Sequence, residues 1–362
     1  MRATPRSATA RKREKPQAHL AAPRDLHAME ARLVDALPDE PGWQYEPKWD
    51  GFRCLAWRDG GAAELVGRSG KELTRYFPEV AGRLAALAPE RFILDGELVV
   101  PQGKTLSFDS LQMRLHPAES RIKKLARETP ATFITFDMLA DQSGRSLVDA
   151  PLNARRAALE AFHAAIGEQQ GLRLSPYTRD IRTARRWLDL AGGALDGVVA
   201  KRVDGRYEPG ERAMLKVKRL RTADCVVGGF RYASNSRQVG SLLLGLYNGE
   251  GKLDHVGFTS AIPQHERAPL TRRLEALVAP PGFTGKAPGG PSRWSTERSA
   301  EWQPLKPALV VEVRYDQVTG ERFRHGTALL RWRPDKAPAD CRFDQLQRAA
   351  RPSTLINDIV ER

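Results

Sequence analysis

The feature that most constrains the fold is a change of texture near Leu220. Before it, strand-like runs alternate irregularly with amphipathic helices; after it, short β runs dominate. The earlier strands are Trp43–Lys48, Cys54–Arg58, Ala63–Gly67, Phe92–Val100, Thr132–Leu139, Gly197–Arg202 and Met214–Lys218. Helical spacing occurs over Met29–Leu37, Pro78–Leu87, Leu152–Ile166 and Ala184–Ala191. Strands joined sometimes by turns and sometimes by helices predict an α+β domain with antiparallel sheet, not a doubly wound one. The later strands are Asp224–Phe230, Ser241–Tyr247, Leu253–Thr259, Leu309–Tyr315 and Ala328–Trp332, with one helix over Arg267–Val278. Asn248-Gly249 is a hairpin turn, and the Pro/Gly-rich stretch 279–291 reads as a surface loop. Five short strands and one helix predict a small Greek-key barrel of the OB type.

Length agrees with two domains, because 362 residues exceed the roughly 250–300 that one core sustains. The expected division is 25–220 and 221–345, flanked by a basic tail, 1–24, and a C-terminal tail or short helix, 346–362. The first tail carries Arg2, Arg6, Arg11, Lys12, Arg13, Lys15 and Arg24 against Glu14, and Pro5, Pro16 and Pro23 interrupt any helix. It reads equally as a phosphate-touching arm, a solvated leader or an Arg-rich organellar leader.

Lys and Arg number 58 and Asp and Glu 44, a formal charge of +14. That excess favours polyanionic partners without choosing among nucleic acid, phosphorylated ligand and anionic membrane. Cys54, Cys225 and Cys341 form no CxxC pair, which excludes a cysteine zinc cluster or a disulfide framework and fits a reducing compartment. No apolar run is long enough to span a membrane, and no secretory signal is visible. A cytoplasmic protein is expected, nucleoid-associated if bacterial.

Several charged segments stand out. Glu46-Pro47-Lys48-Trp49-Asp50-Gly51-Phe52-Arg53 brings a lysine off a strand into an Asp-Gly turn. Arg68-Ser69-Gly70-Lys71 follows the next hairpin. Asp95-Gly96-Glu97 puts carboxylates inside an apolar strand, where they are costly without a task. Phe136-Asp137 ends another strand, and Asp196-Gly197-Val198-Val199-Ala200-Lys201 opens one. Lys216 and Lys218, two residues apart, share a strand face. Arg331-Trp332-Arg333-Pro334-Asp335-Lys336 closes the second domain.

In order and spacing these segments resemble the motif series of the covalent nucleotidyltransferases: ATP-dependent DNA ligases, RNA ligases and mRNA capping enzymes. They are most similar to small bacterial ATP-dependent DNA ligases and to the ligase domain of end-joining ligases. The resemblance covers about 25–345, and Phe108-Asp109-Ser110-Leu111-Gln112-Met113-Arg114 also resembles the DNA ligase pattern. It implies a nucleotidyltransferase (ATP-grasp-like) domain followed by an OB-type domain.

The resemblance implies a role for each residue. Lys48 is the nucleophile that attacks the α-phosphate of ATP and forms a lysyl–AMP phosphoramidate. A free lysine is protonated at neutral pH, so neighbouring cations and a metal ion are expected to favour the neutral amine. Lys216 and Lys218 contact the α-phosphate. Glu97 and Asp196 suit Mg²⁺ or Mn²⁺, with ribose an alternative for Glu97. Asp196 stands where the family usually has Glu. Arg53 and Arg68 suit ribose and phosphates, and Arg68 later the nick. Phe136 offers the adenine a flat face, and Glu46 reads its amino edge. Arg331, Arg333, Asp335 and Lys336 approach the β- and γ-phosphates; the barrel then swings away about a linker near 219–223 so that DNA can bind.

The implied activity is sealing of 5′-phosphate/3′-hydroxyl nicks in duplex DNA, in repair or end joining, by a compact monomer, with a DNA-end-binding or repair protein as a further partner. An RNA ligase or capping guanylyltransferase shares the lysine chemistry, and a non-catalytic OB-type nucleic-acid-binding protein would not need Lys48.

Overall fold

The computed structural model describes residues 20–21, 26–103, 105–189, 195–289 and 301–346. Nearly all of the N-terminal tail and of the C-terminal segment lies outside them. Three sheets organise the rest. The first has the order Ala31–Leu33, Met214–Val217, Leu195–Arg202, Trp43–Trp49. The second has the order Ala63–Gly67, Phe52–Asp59, Arg91–Val99, Thr132–Ala140, Leu172–Leu174. The third runs Leu253–Thr259, Val239–Tyr247, Arg221–Tyr232, Val310–Tyr315, Ala328–Trp332. Pairing is antiparallel except between Ala31–Leu33 and Met214–Val217, and between Thr132–Ala140 and Leu172–Leu174. The α+β class with antiparallel sheet holds.

One face of the first sheet is apolar. Tyr45, Trp49, Leu195 and Val198 cluster there with Ala184 and Trp187 of the helix Ile181–Asp189. Alternation turns Gln44, Glu46 and Lys48 to the other face. The second sheet packs Cys54, Leu94 and Phe133 against Val80 and Leu84 of the helix Pro78–Ala85 and Leu159 and Phe162 of Leu152–Ile166. That burial supplies the main stabilisation of this half.

The third sheet curls on itself. The bridge Thr259↔Thr327 joins its two edge strands, and Thr259 Oγ1 donates to the Thr327 carbonyl at 2.9 Å. The helix Gln264–Glu275 lies between the third and fourth long strands of this sheet and buries Leu270 and Leu274. This is the OB-type arrangement.

Three readings need correction. Met29–Leu37 is not helical: Ala31–Leu33 is a strand, paired with Met214–Lys216, because the sheet edge takes up its backbone hydrogen bonds. The linker 219–223 is shorter than expected. Arg221 already pairs with Tyr315, leaving three residues, 218–220, outside any element. Two helices, Phe108–Met113 and Glu119–Glu128, went unread; Ser107 Oγ caps the first by accepting from the Ser110 amide at 3.1 Å. No helix among the described residues is long and apolar enough to cross a membrane.

Candidate active site

The polar face of the first sheet looks across a cleft of about 730 Å³ at the second sheet. Strand register decides what converges there. Gly197 stands opposite Lys48, and Val199 lies between Glu46 on one side and Lys216 on the other. Arg53 stands opposite Glu97 in the second sheet. Lys48, Lys216, Lys218, Glu46, Arg53, Arg68, Glu97, Phe136 and Asp196 all line the cleft.

Asp196 reaches it through a bulge. The register steps from Leu195↔Trp49 to Gly197↔Lys48, so Asp196 is the extra residue on its strand. Gly197 has φ +145°, and a Cβ there would sit 2.0 Å from the Val217 carbonyl oxygen. Only glycine fits this position. The bulge aims Asp196 at two lysines: its Oδ2 is 2.7 Å from Lys48 Nζ and 3.0 Å from Lys218 Nζ. The immediate partner of Lys48 is therefore the carboxylate of Asp196, which was expected to face a metal ion. The cations expected beside Lys48 lie one step further out. The Lys216 ammonium is pushed down by burial and by Lys48 and Lys218. Lys218 is raised: burial opposes its charge, but Asp196 and Asp316 outweigh it.

Glu97 is half-buried. Burial raises its carboxyl to about 7, against the pull of Lys48 and Arg53. Arg53 is held by Asp95, which has no exposed surface and takes Nε and Nη2 at 2.6 Å each. Tyr207 Oη donates to the same carboxylate at 2.7 Å. Asp95 is thus the strut that aims Arg53, a bidentate pairing only arginine makes. Arg53 and Lys201 both lie against the Phe136 ring, at 4.5 and 4.7 Å from its centroid. Glu46 is buried and pairs with Lys201 at 2.7 Å. Arg68 sits at the rim, largely exposed, 3.5 Å from Glu30. Asp137 stays out of the cleft. It pairs with buried Arg155, and removing either partner would cost about 3–5 kcal/mol.

Arg331, Arg333, Asp335 and Lys336 are not brought to the cleft. They pair among barrel residues: Arg331 with Glu312 at 2.6 Å, Arg333 with Asp224 at 2.8 Å and Asp335 at 2.9 Å, Lys336 with Asp224 at 3.6 Å. A different part of the barrel faces the cleft, the hairpin built from Val318–Thr319 and Arg322–Phe323 with its flanks. Asp316 Oδ2 lies 3.1 Å from Lys218 Nζ and 2.8 Å from His325 Nδ1. Gln317 Nε2 donates to Asp196 Oδ1 at 3.1 Å. Arg324 Nη1 donates to Asp50 Oδ1 at 2.6 Å and lies over the Phe108 ring. Sequence reading missed all four hairpin residues. Their one local signal is the turn at Gly320, φ +52°, which carries no hint of what lies opposite.

The arrangement suits a nucleotide: lysines for phosphates, an aromatic ring beside a buried carboxylate for a base, and an arginine locked by its own strut. Among the described residues no three His, Cys, Asp or Glu side chains are grouped to hold a metal alone. Mg²⁺ is commonly bound through one or two carboxylates plus substrate phosphates, and Glu97 and Asp196 are carboxylates that line this cleft.

Comparison with known proteins agrees. The family model described as ATP dependent DNA ligase domain matches residues 28–218, and that described as ATP dependent DNA ligase C terminal region matches 235–336. DNA ligase C2 of Mycolicibacterium smegmatis is 44% identical over 347 residues, 90% of this chain and 96% of that protein. The multifunctional non-homologous end joining protein LigD of Mycobacterium bovis is 32% identical over 304 residues, 82% of this chain and 37% of that protein. A solved Lig E DNA ligase superposes with a TM-score of 0.56 at 17% identity, covering 85% of this chain and 99% of that one, which supports the fold.

Proposed function

Because the chain belongs to the ATP-dependent DNA ligase family, we propose that it seals nicks in duplex DNA through a lysyl–AMP at Lys48. The observation that carries this is the seat of Lys48. Its Nζ lies in the cleft, oriented by Asp196 at 2.7 Å, with Lys216 and Lys218 beside it.

In the first step Lys48 Nζ, its proton released to water, attacks the α-phosphorus. A P–N bond forms, the bond to the β-phosphate oxygen breaks, and pyrophosphate leaves. Lys218 and Lys216 stabilise charge that grows on the phosphoryl oxygens. AMP then passes to the 5′-phosphate at the nick, restoring Lys48. The 3′-hydroxyl attacks that phosphate and expels AMP. Glu97 and Asp196 would hold Mg²⁺ or Mn²⁺, which neutralises clustered phosphate charge when bound. Arg53 and Arg68 serve ribose and phosphates, Glu46 and Phe136 the base. Arg331, Arg333, Asp335 and Lys336 act on the departing pyrophosphate from a second barrel orientation. The hairpin contacts to Asp50, Asp196 and Lys218 belong to the orientation that covers the cleft after it.

The enzyme acts as a monomer, and its setting is repair or end joining, the latter supported by the likeness to LigD. The test is incubation with α-labelled ATP, α-labelled GTP or labelled NAD, followed by denaturation. Label from ATP alone, absent in Lys48→Ala, supports the proposal. Label that persists in Lys48→Ala overturns the nucleophile, and label from GTP moves the reading to capping chemistry.

A further inference from the structure

The strand face that carries Lys48 also carries a lysine that no phosphate role explains. Lys201 stands across from Gln44 in the first sheet and is 3% exposed. Its Nζ is 2.7 Å from Glu46 Oε2 and 4.7 Å from the Phe136 centroid. Gln44 Nε2 donates to the other oxygen, Glu46 Oε1, at 2.9 Å. Gln44 and Glu46 are themselves 1% and 2% exposed. The carboxylate is therefore gripped from both sides, next to the aromatic ring and away from water. A buried carboxylate is held in place by its partners, and removing one leaves it uncompensated. An ionised carboxylate accepts hydrogen bonds and donates none.

We propose that Lys201 is a positioning residue for purine choice: by holding Glu46 as an acceptor beside Phe136, it makes the cleft favour a purine with an exocyclic 6-amino group over one without it. The gripped oxygens keep lone pairs free for an amino donor. A 6-oxo purine would set acceptor against acceptor, and a 6-unsubstituted purine would leave the carboxylate without its donor. Lys201 acts through Glu46 and touches no reacting atom. The inference rests on the reading of the cleft as the ATP site.

The test uses the full chain and follows label transfer to protein from ATP, from purine riboside triphosphate (ATP without its 6-amino group) and from GTP. Wild type is expected to prefer ATP over the analogue by about tenfold or more in kcat/KM, the size of one hydrogen bond to a charged group. Lys201→Met should compress that ratio to about twofold while kcat with ATP changes by less than about threefold. Lys201→Gln keeps a donor to Glu46 without the charge; its ratio should fall between the two, and it is the deciding variant if melting shows Lys201→Met to be unfolded. Parallel rises in both KM values, leaving the ratio at its wild-type value, would make Lys201 a packing residue and overturn the inference. So would a wild type that does not distinguish the two nucleotides. A wild type that takes no label from any triphosphate defeats the ATP-site reading itself.

Discussion

Two groups of charged residues in this protein were equally visible in the sequence, and they meet opposite fates. Lys48, Asp196, Lys216 and Lys218 converge on one cleft and leave their charges facing it. Arg331, Arg333, Asp335 and Lys336 lie on the barrel and satisfy one another and their neighbours Asp224 and Glu312. The difference is one of architecture. Lys48, Asp196 and Lys216 sit on adjacent strands of a single sheet, so hydrogen-bonded register brings them together, and Lys218 follows one residue past the strand end. The second can reach the cleft only if the barrel turns, and no strand pairing dictates that turn. Lys48, Asp196 and Lys216, fixed by register, are ready in every orientation of the barrel, and charges placed by domain orientation are ready in one.

That contrast can be broken by experiment. The largest effect belongs to the cleft group: Lys218→Ala should slow lysyl–AMP formation by about 10²–10³-fold, as for loss of one donor to developing charge. Nicked-DNA affinity, read by gel shift, should change by less than twofold. An equal loss in binding would show that Lys218 serves DNA binding and not the chemical step.

Arg333→Ala comes next. If the barrel group works only in the other orientation, this variant should slow reaction with ATP by about tenfold or more and leave sealing of a nick that already carries AMP close to wild type. Equal loss in both assays would erase the distinction. Arg324→Ala should show the reverse pattern at a smaller scale, with sealing slowed about five- to tenfold and lysyl–AMP formation spared. It removes the 2.6 Å pair with Asp50 that holds the covering orientation, and a pair of this partly exposed kind contributes modestly. Single-turnover assays on pre-adenylylated enzyme separate the two.

The smallest effect concerns Glu97, which both orientations share. Burial raises its carboxyl from the ordinary 4.5 of a free glutamate to about 7. The folded chain therefore holds a proton there that the unfolded chain has released between those values. Stability should fall as pH rises from about 4.5 to 7 and then level off, by a few degrees in melting temperature. Glu97→Gln should flatten that fall. Affinity for Mn²⁺ should rise over the same interval in wild type and not in the variant, measured calorimetrically. A wild-type profile without the inflection would place Glu97 in a more polar setting than the cleft provides.

Much of this was legible in the chain. Period-two alternation located Trp43–Trp49, Leu195–Arg202 and Met214–Val217 within a residue or two, and that periodicity put Lys216 and Lys218 on one face. The five short β runs and one helix after Leu220 were enough for an OB-type domain. Ala31–Leu33 was not readable, because a three-residue edge strand owes its form to Met214–Lys216, far away in sequence. Asp95 drew attention as a carboxylate inside a strand, but its task, gripping Arg53, depends on cross-strand pairing and on Tyr207. Asp316, Gln317 and Arg324 have only the Gly320 turn beside them as a local signal, since their partners Lys218, Asp196 and Asp50 are far away in sequence. Local pattern reports which face a side chain takes; it is silent on what a separate sheet will press against that face.

The three residues 218–220 between Val217 and Arg221 have a mechanical meaning. Three residues reach at most about 11 Å when fully extended, so the barrel is leashed at that point. It can pivot there but not drift away. Lys218 is the first link of the leash, and its ammonium reaches Asp196 on one side and Asp316 on the other. Any swing of the barrel therefore twists the chain next to this lysine and withdraws one of its two carboxylates. The pivot and the partner of both carboxylates are the same residue, so the barrel's angle and the direction of that ammonium are geared together.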